Sequence, residues 1–332
     1  MRPAATTTLL PGLILRDHWF DVPLDHARPD GPTIEIYARA LDVPGREDDR
    51  PWLVFLQGGP GFGSPRPTAV SGWIKRALRD YRVLLLDQRG TGRSAPISCE
   101  SVAGLDDAAL AEHLACFRAD SIVADCELIR RALIGDARWT VLGQSYGGFC
   151  CARYLSVAPD GLRGVIMTGG LPPLTQHPDE VYRETYRQVL EQNRRYYARY
   201  PDDIARVREV FEHVAEAPAR LPSGGPLSPR KLQQLGVLLG FHDGHELIHY
   251  LFEDAWVPGR RELSHSFLRG FETVLPFDGA PLYSALHEAC YAQGFATRWS
   301  AARVLEEVPA LRFTAGAREP VRFTGEMIYP WM

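Results

Sequence analysis

The stretch Trp139-Thr140-Val141-Leu142-Gly143-Gln144-Ser145-Tyr146-Gly147-Gly148-Phe149 decides the fold. Trp139 to Leu142 is a short continuous apolar run, the pattern of a strand buried on both faces. Phe149 to Ala158 reads as helix, so Gly143-x-Ser145-x-Gly147 falls on a sharp bend from strand to helix. Such a bend lifts a serine oxygen clear of the sheet, where a base can reach it and make it a nucleophile. Gly143 and Gly147 leave the room that the bend needs. In isolation this pattern is equally well a glycine-rich loop without chemistry, but the strand before it and the helix after it argue for the bend.

Similar apolar runs lie at Trp52 to Leu56, Val83 to Leu86 and Val165 to Thr168, and Thr33 to Leu41 alternates as an edge-like strand would. Within Ser121 to Ile134, Ile122, Cys126, Ile129 and Leu133 recur at helical spacing, as a crossover helix facing a sheet requires. This rhythm of strand, helix and strand predicts a mostly parallel sheet. From Thr175 to Arg303 the rhythm changes to long polar-rich helical segments, Asp179 to Arg199 and Arg230 to Leu239 among them, with a Pro- and Gly-rich stretch from Pro218 to Pro229 between. That is the pattern of a helical insertion. Beyond it, Ala310 to Thr314 and Val321 to Ile328 are expected to return to strand-like structure, against the breakers Pro320 and Gly325.

Composition narrows the function. Hydrophobic residues make up 45% and charged residues 23% of 332, which supplies a sizeable core and excludes disorder. A net charge of -4 without a polybasic run gives nothing to attract nucleic acid or an anionic membrane. No apolar stretch approaches the ~20 residues of a membrane span, and Met1 to Leu15 lacks a signal-peptide layout. A cytoplasmic protein is therefore expected, with the thiols of Cys99, Cys116, Cys126, Cys150, Cys151 and Cys290 reduced, buried and inert. Their spacing makes no zinc pattern, and no metal or other cofactor is expected.

A second motif, Gln57-Gly58-Gly59-Pro60-Gly61, directly follows the strand Trp52 to Leu56. Small residues there let backbone N–H groups approach an oxyanion, and the expected donors are those of Gly59 and of Tyr146, next to the candidate nucleophile Ser145. A third, Asp87-Gln88-Arg89-Gly90-Thr91-Gly92-Arg93-Ser94, follows Val83 to Leu86 and is expected to be a structured loop that supports the site. In order and spacing these three motifs resemble the proline iminopeptidase family of α/β-hydrolases. The likeness extends to Phe323-Thr324-Gly325-Glu326-Met327-Ile328-Tyr329-Pro330-Trp331-Met332, which resembles a late segment of the longer bacterial type. One departure is Gln57, where the family usually has His; that His is not the catalytic base, so the change touches loop geometry more than chemistry.

The resemblance implies an α/β-hydrolase core with a helical cap: residues 1–173 the N-terminal part of the core, 174–305 the cap, and 306–332 the return to the core. It implies a peptide substrate with a free N-terminal proline, whose amino end family members hold with glutamates. The matching positions are Glu288, in Leu286-His287-Glu288-Ala289-Cys290-Tyr291, and Glu326, in Thr324-Gly325-Glu326-Met327. A desolvated carboxylate pair favours a substrate ammonium over internal peptide positions that lack the charge.

Ser145 also needs an acid and a histidine base, which in this fold follow the nucleophile on loops after late strands. The histidines after Ser145 are His177, His213, His242, His245, His249, His265 and His287, and all fall in the helical insertion. The Asp and His of the triad, with the C-terminal strands that bear them, are thus expected to be missing from this chain. His242, His245 and His249 have helical spacing but no accompanying carboxylate pattern, so surface positions outweigh a metal site. Tyr196, Tyr197, Tyr200, Phe211, Phe241, Tyr250, Phe252 and Trp256 are expected mostly to form the cap's own core. Two alternatives stay open: another cap-bearing, esterase-like hydrolase, and a noncatalytic fragment or binding protein. Oligomeric state is not legible.

Overall fold

The computed structural model describes residues 6–46, 50–217, 219–274 and 279–332, so the first five residues of the N-terminal stretch lie outside it. These residues form two compact units. The first comprises Met1–Leu174 with Asp278–Tyr291, and the second Thr175–Phe277 with Ala292–Met332.

The described residues of the first unit form one seven-stranded sheet: β1 (Thr7–Leu10), β2 (Leu13–Pro23), β3 (Thr33–Asp42), β4 (Trp52–Leu56), β5 (Arg82–Leu86), β6 (Trp139–Gln144) and β7 (Leu162–Thr168), in spatial order β1-β2-β3-β5-β4-β6-β7. The ladder β5-β4-β6-β7 is parallel, and β1, β2 and β3 extend it as an antiparallel arm. β3 is thus an interior strand and not an edge. The arm outside it was obscured in the sequence because Pro11 and Gly12, which break the apolar run Leu9 to Leu15, form the turn between β1 and β2.

The two-residue period of a strand explains the core. Val54, Leu56, Leu84, Leu86 and Val141 face one cluster with Ile122, Cys126 and Ile129 of helix Ala119–Ile134 and with Cys150, Cys151 and Tyr154 of helix Tyr146–Val157. Leu53, Phe55, Val83 and Leu85, one residue out of phase, pack on Ile74, Ala77 and Leu78 instead. β7 pairs with β6 alone among the described residues, and its Ile166 is 43% exposed.

The second unit is helical. Pro178–Arg199, Asp203–Glu216, Gly244–Glu253 and His265–Val274 surround a core that includes Tyr196, Val207, Phe211, Leu235, Ile248, Phe252, Phe267 and Phe323. Of the aromatic set, Tyr196, Tyr197, Phe211 and Phe252 are core and Tyr200 and Trp256 pack on it, whereas Phe241 and Tyr250 are exposed. Arg230 to Leu239 divides into an α-helical turn Pro229–Gln233 and the 3-10 segment Gln234–Gly240.

Ala310 to Thr314 and Val321 to Ile328 are not strands, contrary to expectation. Side chains take over their backbone groups. Gln233 Nε2 donates to the carbonyls of Leu311 (2.6 Å) and Arg322 (2.8 Å). Asn193 accepts from Phe323 N (2.8 Å) and donates to its carbonyl (3.0 Å). Buried peptide groups must be paired, and here buried amides serve as partners in place of a ladder.

Candidate active site

Ser145 sits between β6 and helix Tyr146–Val157 with φ 53° and ψ -120°, in a region that residues with a Cβ rarely adopt. Two hydrogen bonds keep it there. Its N–H donates to Thr168 O of β7 (2.9 Å), and its carbonyl accepts from Gly148 N (2.8 Å). The glycines on either side are dictated by crowding: a Cβ at Gly143 would lie 2.2 Å from the Gly147 carbonyl oxygen, and one at Gly147 would lie 2.0 Å from that of Leu56. This is the sharp bend that the G-x-S-x-G pattern predicts.

The loop after β4 lies directly against Ser145. A Cβ at Gly58 would approach Ser145 Cβ to 2.9 Å and Oγ to 3.5 Å. The structure therefore brings residues 58 and 145 together. Gly59 has φ 127° and is joined to Pro60 by a cis peptide. Gly58 N–H is taken by the Gln57 side chain (3.1 Å). Tyr146 opens its helix, where the first N–H groups have no intrahelical acceptor and the dipole favours negative charge.

The segment Asp87 to Ser94 is tightly bonded. Buried Asp87 accepts from the N–H groups of Ser64 (2.8 Å) and Arg93 (2.8 Å) and pairs with Arg66. Buried Arg89 makes a two-pronged contact with Asp125 (2.7 and 2.6 Å) and donates to Leu24 O and Cys116 O, both at 2.7 Å.

Glu288 belongs to the same unit as Ser145. It is buried in the 3-10 turn Glu288–Tyr291, which is tied down by Arg118 donating to Ala289 O (3.2 Å) and by the ring of Tyr291 on Phe149 (5.7 Å). Phe149 in turn lies 6.1 Å from Tyr146. Just before this turn, the Tyr283 ring lies tilted against Phe62 (5.4 Å between centroids), and a Cβ at Gly61 would meet Tyr283 N at 2.6 Å. Packing of residues 281–291 against the glycine loop was not read from sequence, since a contact spanning more than 200 positions leaves no local pattern. Glu326 belongs to the second unit, where it is exposed.

Four of the histidines after Ser145 are engaged within the helical unit. His249 bonds Asp203 (2.9 Å), lies 3.3 Å from Glu253 and stacks on Tyr200 at 3.9 Å. His245 meets Tyr196, His213 meets Trp256 and His177 stacks on Phe295. Among the described residues no group of three or more His, Cys, Asp or Glu converges as metal ligands would, and no helix is long and apolar enough to cross a membrane. All six thiols are free; Cys126, Cys150 and Cys151 are buried, but Cys99 is exposed, a correction to the expectation that all are buried.

A family model of the alpha/beta hydrolase fold matches residues 51–210. A proline iminopeptidase of Aeromonas sobria is 48% identical over 326 residues, covering 98% of this chain and 76% of that protein. A proline iminopeptidase of Aspergillus aculeatus is 37% identical over 332 residues, covering 96% and 73%. A tripeptidyl aminopeptidase of Streptomyces coelicolor is 25% identical over 310 residues, covering 78% and 54%.

Proposed function

This chain belongs to the proline iminopeptidase family of α/β-hydrolases, and on that premise we propose that it releases N-terminal proline from peptides through an acyl-enzyme on Ser145. The observation that carries the proposal is the closeness of Ser145 to the glycine loop: a Cβ at Gly58 would lie 3.5 Å from Ser145 Oγ. A hydroxyl on a strained bend beside a glycine loop is what supports this reading.

Ser145 Oγ attacks the carbonyl of the N-terminal proline, and its proton passes to a histidine base. The oxyanion formed is held by the N–H groups of Tyr146 and Gly59, a contribution of ~10²–10³ in kcat per donor in other serine hydrolases. The peptide C–N bond breaks as the base returns the proton to the leaving amine, and water then hydrolyses the prolyl ester. We assign no residue of this chain as that base or as its carboxylate partner. Glu288, in the same unit as Ser145, receives the charged imino end of the substrate. Glu288 is buried, as a carboxylate selecting for a substrate cation needs to be.

Three measurements test this. Prolyl-2-naphthylamide is cleaved and its N-blocked analogue is not; equal cleavage of the two defeats the aminopeptidase assignment. A fluorophosphonate probe labels Ser145, and Ser145→Ala lowers kcat by at least ~10³-fold; failure of wild type to label counts against a working nucleophile in this chain and for a noncatalytic protein. Glu288→Ala raises KM for the free prolyl substrate, whereas indifference to it, with turnover of simple esters, points to an esterase-like enzyme.

A further inference from the structure

Three consecutive residues at the end of β5 hold both ends of the glycine loop. At its far end, Ser64 Oγ donates to Leu86 O (2.6 Å) and Ser64 N–H to Asp87 Oδ1 (2.8 Å). At its near end, Gln88 Nε2 donates to Gln57 O (3.2 Å), the carbonyl just ahead of Gly58 and Gly59. Gln88 is 1% exposed, and its own carbonyl is fixed by Thr91 Oγ1 (2.7 Å) and Thr91 N (3.0 Å). A buried amide so anchored has little freedom to point elsewhere.

We propose that Gln88 is a positioning residue for the candidate oxyanion loop, acting by fixing the plane of the Gln57–Gly58 peptide. The proposal rests on the peptidase assignment above for its catalytic consequence, though not for its geometry. Crowding supplies the reason. Residue 58 is glycine because a Cβ there would collide with Ser145, yet a glycine's backbone is also the least restrained by its own sterics. A hydrogen bond must therefore do what a side chain cannot. Gln88 holds the carbonyl of that peptide and the Gln57 side chain holds its N–H, so the plane is set from both sides. With Gly58 N–H occupied in this way, the next N–H, that of Gly59, is the one aimed by the arrangement. Asp87 does not duplicate this role, since its carboxylate serves Ser64, Arg66 and Arg93.

Gln88→Leu removes the donor at similar volume, and Gln88→Glu keeps the shape but turns an acceptor toward the Gln57 carbonyl. In both variants, exchange of the Gly58 and Gly59 amide protons is expected to quicken by about tenfold or more, while the amides of Val54 and Leu84 in the flanking strands keep their protection. On prolyl-2-naphthylamide, kcat is expected to fall by about tenfold with KM within about twofold of wild type, the signature of a lost transition-state contact. Unaltered loop exchange in both variants overturns the proposal, as does loosened exchange with unaltered kcat. Loosened exchange in a chain that shows no turnover even as wild type supports the clamp itself and counts against the peptidase assignment alone. A thermal midpoint close to wild type in Gln88→Glu separates local loosening from loss of fold.

Discussion

A methyl group at residue 147 would sit 2.0 Å from the Leu56 carbonyl oxygen, backbone against backbone. Gly147→Ala is therefore expected to cost ~1–3 kcal/mol or more in urea unfolding, as overpacking does. Gly58→Ala meets Ser145 Cβ at 2.9 Å instead, so its main expected effect is on the site: fluorophosphonate labelling of Ser145 slows while most of the stability is kept. The contact between Arg89 and Asp125 is buried on both sides, and Asp125→Ala, which strands the guanidinium, should destabilise by ~3–5 kcal/mol. At this scale the sequence was legible wherever the residue type is forced by the backbone, as at Gly58, Gly143 and Gly147. It was not legible where a side chain reaches across the chain. Arg89 and Asp125 are 36 positions apart and Gln88 and Gln57 are 31 apart, separations over which no local periodicity survives.

Among the elements, β4 matches its apolar run residue for residue, and β5, β6, β7 and the helix Ala119–Ile134 extend theirs by only a few residues. Runs buried on both faces announce themselves. Strands of the antiparallel arm do so less well, because β2 alternates buried and half-buried residues and carries Arg16, Asp17 and His18 in its middle. Strand-like composition at Val321 to Ile328 misled for the opposite reason: its apolar side chains are buried, but its peptide groups go to Asn193 and Gln233. His18 of β2 has its pKa lowered from 6.5 by burial, with Arg82 adding to the effect. The folded chain then prefers the neutral ring, so the unfolded state binds the extra proton. Stability contributed by neutral His18 is complete above about pH 6.5 and is lost as pH falls through the lower folded value. His18→Gln is expected to flatten the acid side of a plot of thermal midpoint against pH. In helix Tyr146–Val157, burial raises the Cys150 thiol and pushes Cys151 up to about 12. At pH 8 a thiol reagent should therefore modify exposed Cys99 first, and Cys126, Cys150 and Cys151 only after unfolding, as peptide mapping of the adducts would reveal.

For the whole molecule, the change of rhythm at Thr175 and the first residue of the helical unit coincide, because a turn from short apolar runs to long amphipathic helices is a change of core. Each unit has a core of its own. Phe211→Ala, a cavity in the helical unit worth ~3–5 kcal/mol, is expected to quicken amide exchange around Val207 and Ile248 more than around Val54 and Leu84. Equal quickening in both would show that the cores melt as one. The outermost strand leads to a practical matter. Among the described residues β7 pairs with β6 alone, beside a half-bare Ile166, and such a rim is a template on which another copy can add. Ile166→Lys should delay the onset of light scattering on warming without shifting the melting midpoint. A concentrated preparation of this chain is then expected to fail in storage by turning cloudy from that seam outward, before its interior has come apart.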